Sequence, residues 1–189
     1  RVKSIGADNI NSSSTYEMEV NAFASSIPMY LDYIIMDCCL MGGVEVAYEL
    51  KGVCGKLIFS QTEVLADGLC NYTNVIGRLL NSSEPDLKGL CEDAYTHYDS
   101  QSGSYRSLTI SMIDCAKLGP LAEACAKLFS DYRGKMALVN PSSVQHYFRY
   151  NKHWFYDLED ILVQSGASDE DLKSFRTAMC SCVLYNEAT

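Results

Sequence analysis

The feature that most constrains this chain is an apolar run that stops abruptly at a glycine-containing turn. Leu31 to Met36 is apolar throughout except at Asp32, and it leads into Asp37-Cys38-Cys39-Leu40-Met41-Gly42-Gly43. A short, nearly continuous apolar run reads as a strand covered on both faces, of the kind found inside α/β sheets. Val44 to Val53 follows as a helix with Val46, Ala47, Leu50 and Val53 on one side, and residues 56–60 read as a second strand. Strand, helix and strand joined by short links make a parallel unit.

The rest of the chain extends that pattern. The first dozen residues are polar and end in a cluster of Asn and Ser over 11–14, which predicts an exposed leader over 1–15 followed by a helix from Tyr16 to Ser26, stopped by Pro28. Helices are expected over 71–80, 86–98, 117–132, 156–164 and 169–185, and a third strand over 107–113. The stretch 137–150 stays ambiguous between helix and strand. No internal repeat is present, which argues against a solenoid.

The chain has 189 residues, long enough for one sizeable core, with a net charge of −9 and no cluster of Lys and Arg of the kind that phosphate binding requires. That speaks against nucleic acid as a partner and suits basic ones. No stretch approaches the ~20 apolar residues of a membrane span, and the start at Arg1 has neither an initiator Met nor an apolar signal core. We therefore expect the chain to begin at a processing site or at an artificial boundary. Nine cysteines are present without a CxxC pair or a zinc-like Cys/His spacing, so at least one thiol is expected free. Cys54, Cys70, Cys91, Cys115 and Cys125 sit among apolar residues and read as core filler, while Cys180 and Cys182 read as core or partner-facing.

In an open α/β sheet, function gathers outside the carboxyl ends of the strands, and the Asp37-Cys38-Cys39 turn falls there. A cysteine between a buried strand and a helix start has the helix's positive end nearby, which favours the thiolate. Two adjacent thiols compete for that role. Side chains alternate along a strand, so Asp37 and Cys39 are expected on one side and Cys38 on the other, turned into packing. The structural alternative is that both are core thiols. A carboxylate sharing a side with the nucleophile can pair with a guanidinium or ammonium, or else cap the following helix. Glu63 and Asp67 in the next loop can add negative potential there.

The run from Tyr33 to Gly68 resembles the active-site segment of clostripain-type cysteine peptidases. It carries Asp37, Cys39, Leu40, Met41 and Gly42, then residues 45–50 reading Glu-Val-Ala-Tyr-Glu-Leu, then Ser60. Weaker likeness extends to residues 111–114 and 154–158. The chain departs from the family at Cys38, where Ala is usual, and along the Gln61 to Gly68 loop.

The resemblance implies a caspase-like α/β fold: a three-layer α/β/α sandwich with a mostly parallel sheet, incomplete without a partner chain. Residues 1–189 would be the C-terminal, heavy-chain part of one peptidase domain. It implies a cysteine endopeptidase cleaving after Arg or Lys, with Cys39 as nucleophile and substrate contacts from Asp37, Ser60, Gln61, Thr62 and Asp67. The family's histidine lies in a His-Gly loop before the cysteine, yet His97, His146 and His153 all follow Cys39. The base is therefore expected on an N-terminal light chain released from the same precursor, alongside peptide substrates. The rival reading is a catalytically silent relative acting as a binding or assembly module. Some family members require calcium. No EF-hand-like ligand run is visible, so the cofactor stays open and no metal ligand is assigned. A secreted, periplasmic or cell-surface bacterial location is what the family implies.

Overall fold

In the computed structural model, residues 4–11, 14–70, 72–149 and 152–189 are described. The polar start, read as an exposed leader, contains two strands. Ser4–Asn11 (β1) and Ser14–Glu19 (β2) pair antiparallel, from Ser4 opposite Glu19 to Asn11 opposite Ser14. The strand claims residues read as helix, so the first helix is confined to Val20–Ser26 (α1). It ends in extended backbone at Ile27, as the residue before a proline prefers.

The expected unit then appears. Leu31–Ile35 (β3) is followed by Val44–Leu50 (α2) and Cys54–Phe59 (β4), and β3 and β4 run parallel with Leu31 opposite Cys54 and Ile35 opposite Ile58. From α2, Val46, Ala47 and Leu50 are buried. Two helices come next, Tyr72–Leu80 (α3) and Leu87–Asp99 (α4). Arg78 clamps them together. Its guanidinium reaches Asp86 at 2.6 Å and grips Asp93 through two contacts of 2.8 and 2.9 Å.

Thr109–Asp114 (β5) pairs antiparallel to β4, with Lys56 opposite Asp114 and Phe59 opposite Ser111. The expectation of a mostly parallel sheet thus holds for β3 and β4 and fails at β5. One helical pass between strands returns the chain to the starting end of the sheet, whereas two passes leave it at the far end. Residues 109–114 therefore run back towards the amino end of β4. One face of the sheet is covered by α4 and the segment before α3. Ile58, Ile110 and Met112 from the strands pack there with Leu69, Leu87, Leu90, Cys91, Ala94 and Tyr98. Each such aliphatic side chain contributes about 1.5–3 kcal/mol by leaving water.

The chain divides into two units, Arg1–Cys115 with Tyr185–Thr189, and Ala116–Leu184. The second unit holds Leu118–Met136 (α5), the antiparallel pair His146–Arg149 (β6) and Lys152–Tyr156 (β7), Leu158–Gln164 (α6) and Asp169–Cys182 (α7). Asp157 caps α6 by accepting from the Asp160 N–H, and Ser168 and Asp171 form a reciprocal capping box on α7. The Tyr132 hydroxyl donates to Asp171 at 2.7 Å, tying α5 to α7. Within the ambiguous stretch, residues 146–149 form β6, and the helix expected from 156 starts only after β7. Tyr150 and the side chains of Phe148 and Trp154 lie outside the described set.

The helix expected to reach residue 185 stops at Cys182, and Val183–Ala188 (β8) completes a central sheet of order β3, β4, β5, β8. Leu108 meets Thr189 and Ser111 meets Asn186, the opposed numbering of antiparallel neighbours. The architecture is the expected mixed α/β class, a central sheet flanked by helices. Of the core cysteines, Cys54, Cys70, Cys91 and Cys115 are buried as expected, Cys125 is half-buried, and Cys180 is exposed while Cys182 is buried. β3, expected to be covered on both faces, is instead only half-buried at Leu31, Tyr33, Ile34 and Ile35, because it stands at the end of the sheet order.

Candidate active site

β3 ends at Ile35, and the chain that leaves it is pinned against the end of β4. The Met36 N–H donates to Ile58 O at 2.8 Å, the Leu40 N–H to Thr62 O at 2.9 Å, and the Gly42 N–H to Ser60 O at 2.7 Å. Leu40 takes φ +60°, a left-handed conformation uncommon for a side chain of this size. The turn immediately after Cys39 is thereby held in a shape that an unconstrained chain would avoid. Gly42 makes the close approach possible, since a Cβ there would lie 2.6 Å from Gln61 N and 2.7 Å from Ser60 C. Both are backbone atoms that cannot step aside. Gly42→Ala is expected to lower stability by about 1–3 kcal/mol through overpacking, read as a fall in the denaturation midpoint. An unchanged midpoint would mean that the turn is looser than this.

Cys39 is exposed, and its sulfur is engaged by a single residue of the following loop. The Val64 N–H donates to Sγ at 3.2 Å, and the Sγ–H faces Val64 O at 3.4 Å. Cys38 is exposed as well, and so is not turned into packing as expected. Strand alternation does not extend to it, because the strand has already ended. Loss of hydration, and then the neighbouring Asp37 and Cys39, push the Cys38 thiol up. That direction disfavours its thiolate.

Asp37 does not cap α2. Its Oδ1 accepts from the Leu69 N–H at 2.6 Å, and its Oδ2 accepts from the Tyr72 hydroxyl. The hydrogen bond to Asp37, aided by burial, pushes the Tyr72 phenol up to about 12. Gly68, at φ +85°, lies against the same carboxylate, where a Cβ would stand 2.8 Å from Oδ2. The Gly68 carbonyl is fixed in turn by the Tyr98 hydroxyl at 2.6 Å. Asp67 projects its side chain into solvent, 76% exposed, with His97 Nε2 at 3.7 Å.

Ser60, Gln61 and Thr62 are drawn into a polar network at the amino end of β5. The Ser60 hydroxyl is fully buried and lies 2.9 Å from Thr109 Oγ1, which also accepts from the Gln61 N–H at 3.0 Å and the Thr62 N–H at 3.1 Å. Gln61 Nε2 donates to Ser111 Oγ at 2.8 Å, and the Ser111 hydroxyl donates to Asn186 at 2.7 Å. These side chains hold the loop through that network. The reversed direction of β5 is what brings Thr109 to this edge. Of the sequence candidates, Asp37 and Cys39 are joined through one segment, Val64 to Tyr72, while Ser60, Gln61 and Thr62 support it from beneath. Sequence reasoning missed Val64, which acts through its backbone, and Tyr72. It also missed Thr109 and Ser111, whose one visible signal was polarity inside an apolar strand.

His97 sits on α4 beside Asp67, and His146 and His153 belong to the second unit, where their rings stack 3.6 Å apart. Among the described residues no group of three or more His, Cys, Asp or Glu could hold a metal ion, and no helix is long and apolar enough to cross a membrane.

Residues 1–189 match the clostripain family over their whole length. The chain belongs to that family. Its fold is also that of solved clostripain-type proteases. An inactive zymogen protease from Parabacteroides distasonis is 33% identical with a TM-score of 0.79, the match covering 91% of this chain and 49% of that one. A clostripain from Bacteroides thetaiotaomicron, in complex with the peptide inhibitor BTN-VLTK-AOMK, is 28% identical with a TM-score of 0.81, over 96% of this chain and 78% of that one. A secreted cysteine protease from the same organism is 29% identical with a TM-score of 0.80, over 92% and 49%. A search among curated proteins finds no match. This clostripain-family chain spans about half the length of the zymogen and of the secreted protease.

Proposed function

We propose that this chain supplies the nucleophile and the specificity acid of a cysteine endopeptidase that cleaves after Arg or Lys. The observation that carries the reading is that one loop segment binds both groups, the Val64 backbone holding the Cys39 sulfur while the Leu69 N–H holds Asp37. A substrate residue whose side chain reaches the carboxylate thereby has its carbonyl close to the thiol. The exposed Asp67 adds negative potential at the same loop. The VLTK peptide bound by the Bacteroides thetaiotaomicron relative ends in lysine, in line with this preference.

The Cys39 thiolate attacks the carbonyl carbon, and a histidine from the preceding, light-chain part of the precursor protonates the leaving amine. Water, deprotonated by the same histidine, then attacks the thioester and frees Cys39. Thr62 and Ser60 occupy the Leu40 and Gly42 amides, so the oxyanion falls to the Cys39 amide and a donor beside the histidine. The half-buried edge of β3 is the place where strands of that light-chain part would pair. In this reading residues 1–189 are the heavy-chain part of a secreted bacterial enzyme made as a zymogen, and the relatives solved as a zymogen and as a secreted protease support it.

The test is hydrolysis of short peptides by the complete protein, this chain together with the light-chain part. Peptides ending in Arg or Lys before the reporter should be cleaved, and matched peptides ending in Leu or Asp should not. Absence of hydrolysis from a folded, processed protein would favour the silent binding module, and equal cleavage of all peptides would remove Asp37 from the specificity site.

A further inference from the structure

We infer that the Tyr72 hydroxyl is a competing ligand of Asp37 that a substrate Arg or Lys must displace, so that Tyr72 sets how tightly basic residues bind. The inference rests on Asp37 being the acid that recognises them. Asp37 is held by two donors of different kinds. The Leu69 N–H belongs to the backbone of the loop and cannot leave without unfolding it. The Tyr72 hydroxyl sits at the end of a side chain that is 62% exposed, on the first residue of α3. Its release exposes little further apolar surface, since the ring already stands largely in solvent.

Gly68 keeps the approach open. A Cβ there would lie 2.8 Å from Asp37 Oδ2 and 3.4 Å from Tyr72 Cε2, so the bare glycine leaves a flank shared by the acid and the ring. The phenol, raised to about 12, stays protonated at physiological pH and donates to Asp37 whenever the site is empty. A guanidinium or ammonium adds a full positive charge to the donor, where the phenol offers a neutral donor to the same carboxylate, so exchange favours the substrate but gives up the phenol's bond. The released ring then stands beside the cation and can stack on a planar guanidinium, a contact that rewards Arg over Lys.

The test uses the complete two-part enzyme with peptides carrying Arg, Lys or the neutral Arg analogue citrulline before the scissile bond. Tyr72→Phe keeps the ring and removes the donor. It should lower KM for Arg and Lys peptides by on the order of tenfold or more, the size of one hydrogen bond to a charged group, with a much smaller change in kcat and for citrulline. Tyr72→Ala should lower the ratio of Arg to Lys cleavage. An unchanged or raised KM for basic peptides in Tyr72→Phe, or a parallel change for citrulline, would overturn the inference. Asp37→Asn separates the two levels. If it fails to penalise Arg and Lys relative to citrulline, the specificity reading falls and this inference with it. If it does penalise them while Tyr72→Phe does nothing, only the competition by Tyr72 is wrong.

Discussion

Cys39→Ala is expected to abolish peptide hydrolysis by the complete protein, lowering kcat by on the order of 10⁴-fold or more, as loss of a covalent nucleophile does. Cys38→Ala should leave most of the activity. The two thiols are adjacent and both exposed, so exposure does not separate them. What separates them is their surroundings. The Cys39 sulfur is fixed by the Val64 backbone in the segment that also holds Asp37, whereas the Cys38 thiol is pushed up by lost hydration and by its neighbours. Steady-state assays of both variants with an Arg peptide decide the matter. Equal loss in both, or loss at Cys38 alone, would reverse the assignment.

The second large effect is expected at Asp37. A charge-assisted contact to a substrate cation is worth roughly 1.5–3 kcal/mol, so Asp37→Asn should lower kcat/KM for Arg and Lys peptides by on the order of ten- to a hundredfold. Uncharged peptides should change less. The structure adds a complication that strand alternation did not foresee, because Asp37 also anchors the loop through Leu69 and Tyr72. Asn retains one acceptor oxygen for those two donors, so part of any loss will be common to every substrate. The selective part is measured by the ratio of basic to uncharged cleavage. A parallel fall across all peptides would make Asp37 a loop anchor and move recognition to Asp67 or to the light-chain part.

What local pattern carries was legible in the sequence. The apolar run at 31–36, the helix at 44–50 and the strand ending at Phe59 declare themselves by length and periodicity, and they place Asp37 and Cys39 at a strand exit. Other features depend on partners far along the chain. The direction of β5 follows from the number of helical passes before it, and with it the arrival of Thr109 beneath the loop. β1, β2, β6 and β7 are short strands whose alternation is obscured by polar or aromatic neighbours. β8 takes the end of a segment read as helix to residue 185, where pairing with β5 overrides the helical pattern beyond Cys182. At the site, the exposure of Cys38 was misjudged because alternation was carried past Ile35. Val64 was invisible because it acts through its backbone, and Tyr72 read as one more aromatic at a helix start.

The central claim is that Cys39 attacks the carbonyl of a residue whose cationic side chain is held at Asp37. The most direct measurement is covalent labelling of the complete, processed enzyme with a lysine-ending peptide carrying a thiol-reactive carbonyl group, followed by digestion and mass mapping of the adduct. The account requires one peptide per molecule, attached to Cys39, with labelling slowed by Asp37→Asn and unaffected by Cys38→Ala. An adduct on Cys38, or labelling of Cys39 that proceeds equally fast with an uncharged peptide, would contradict it.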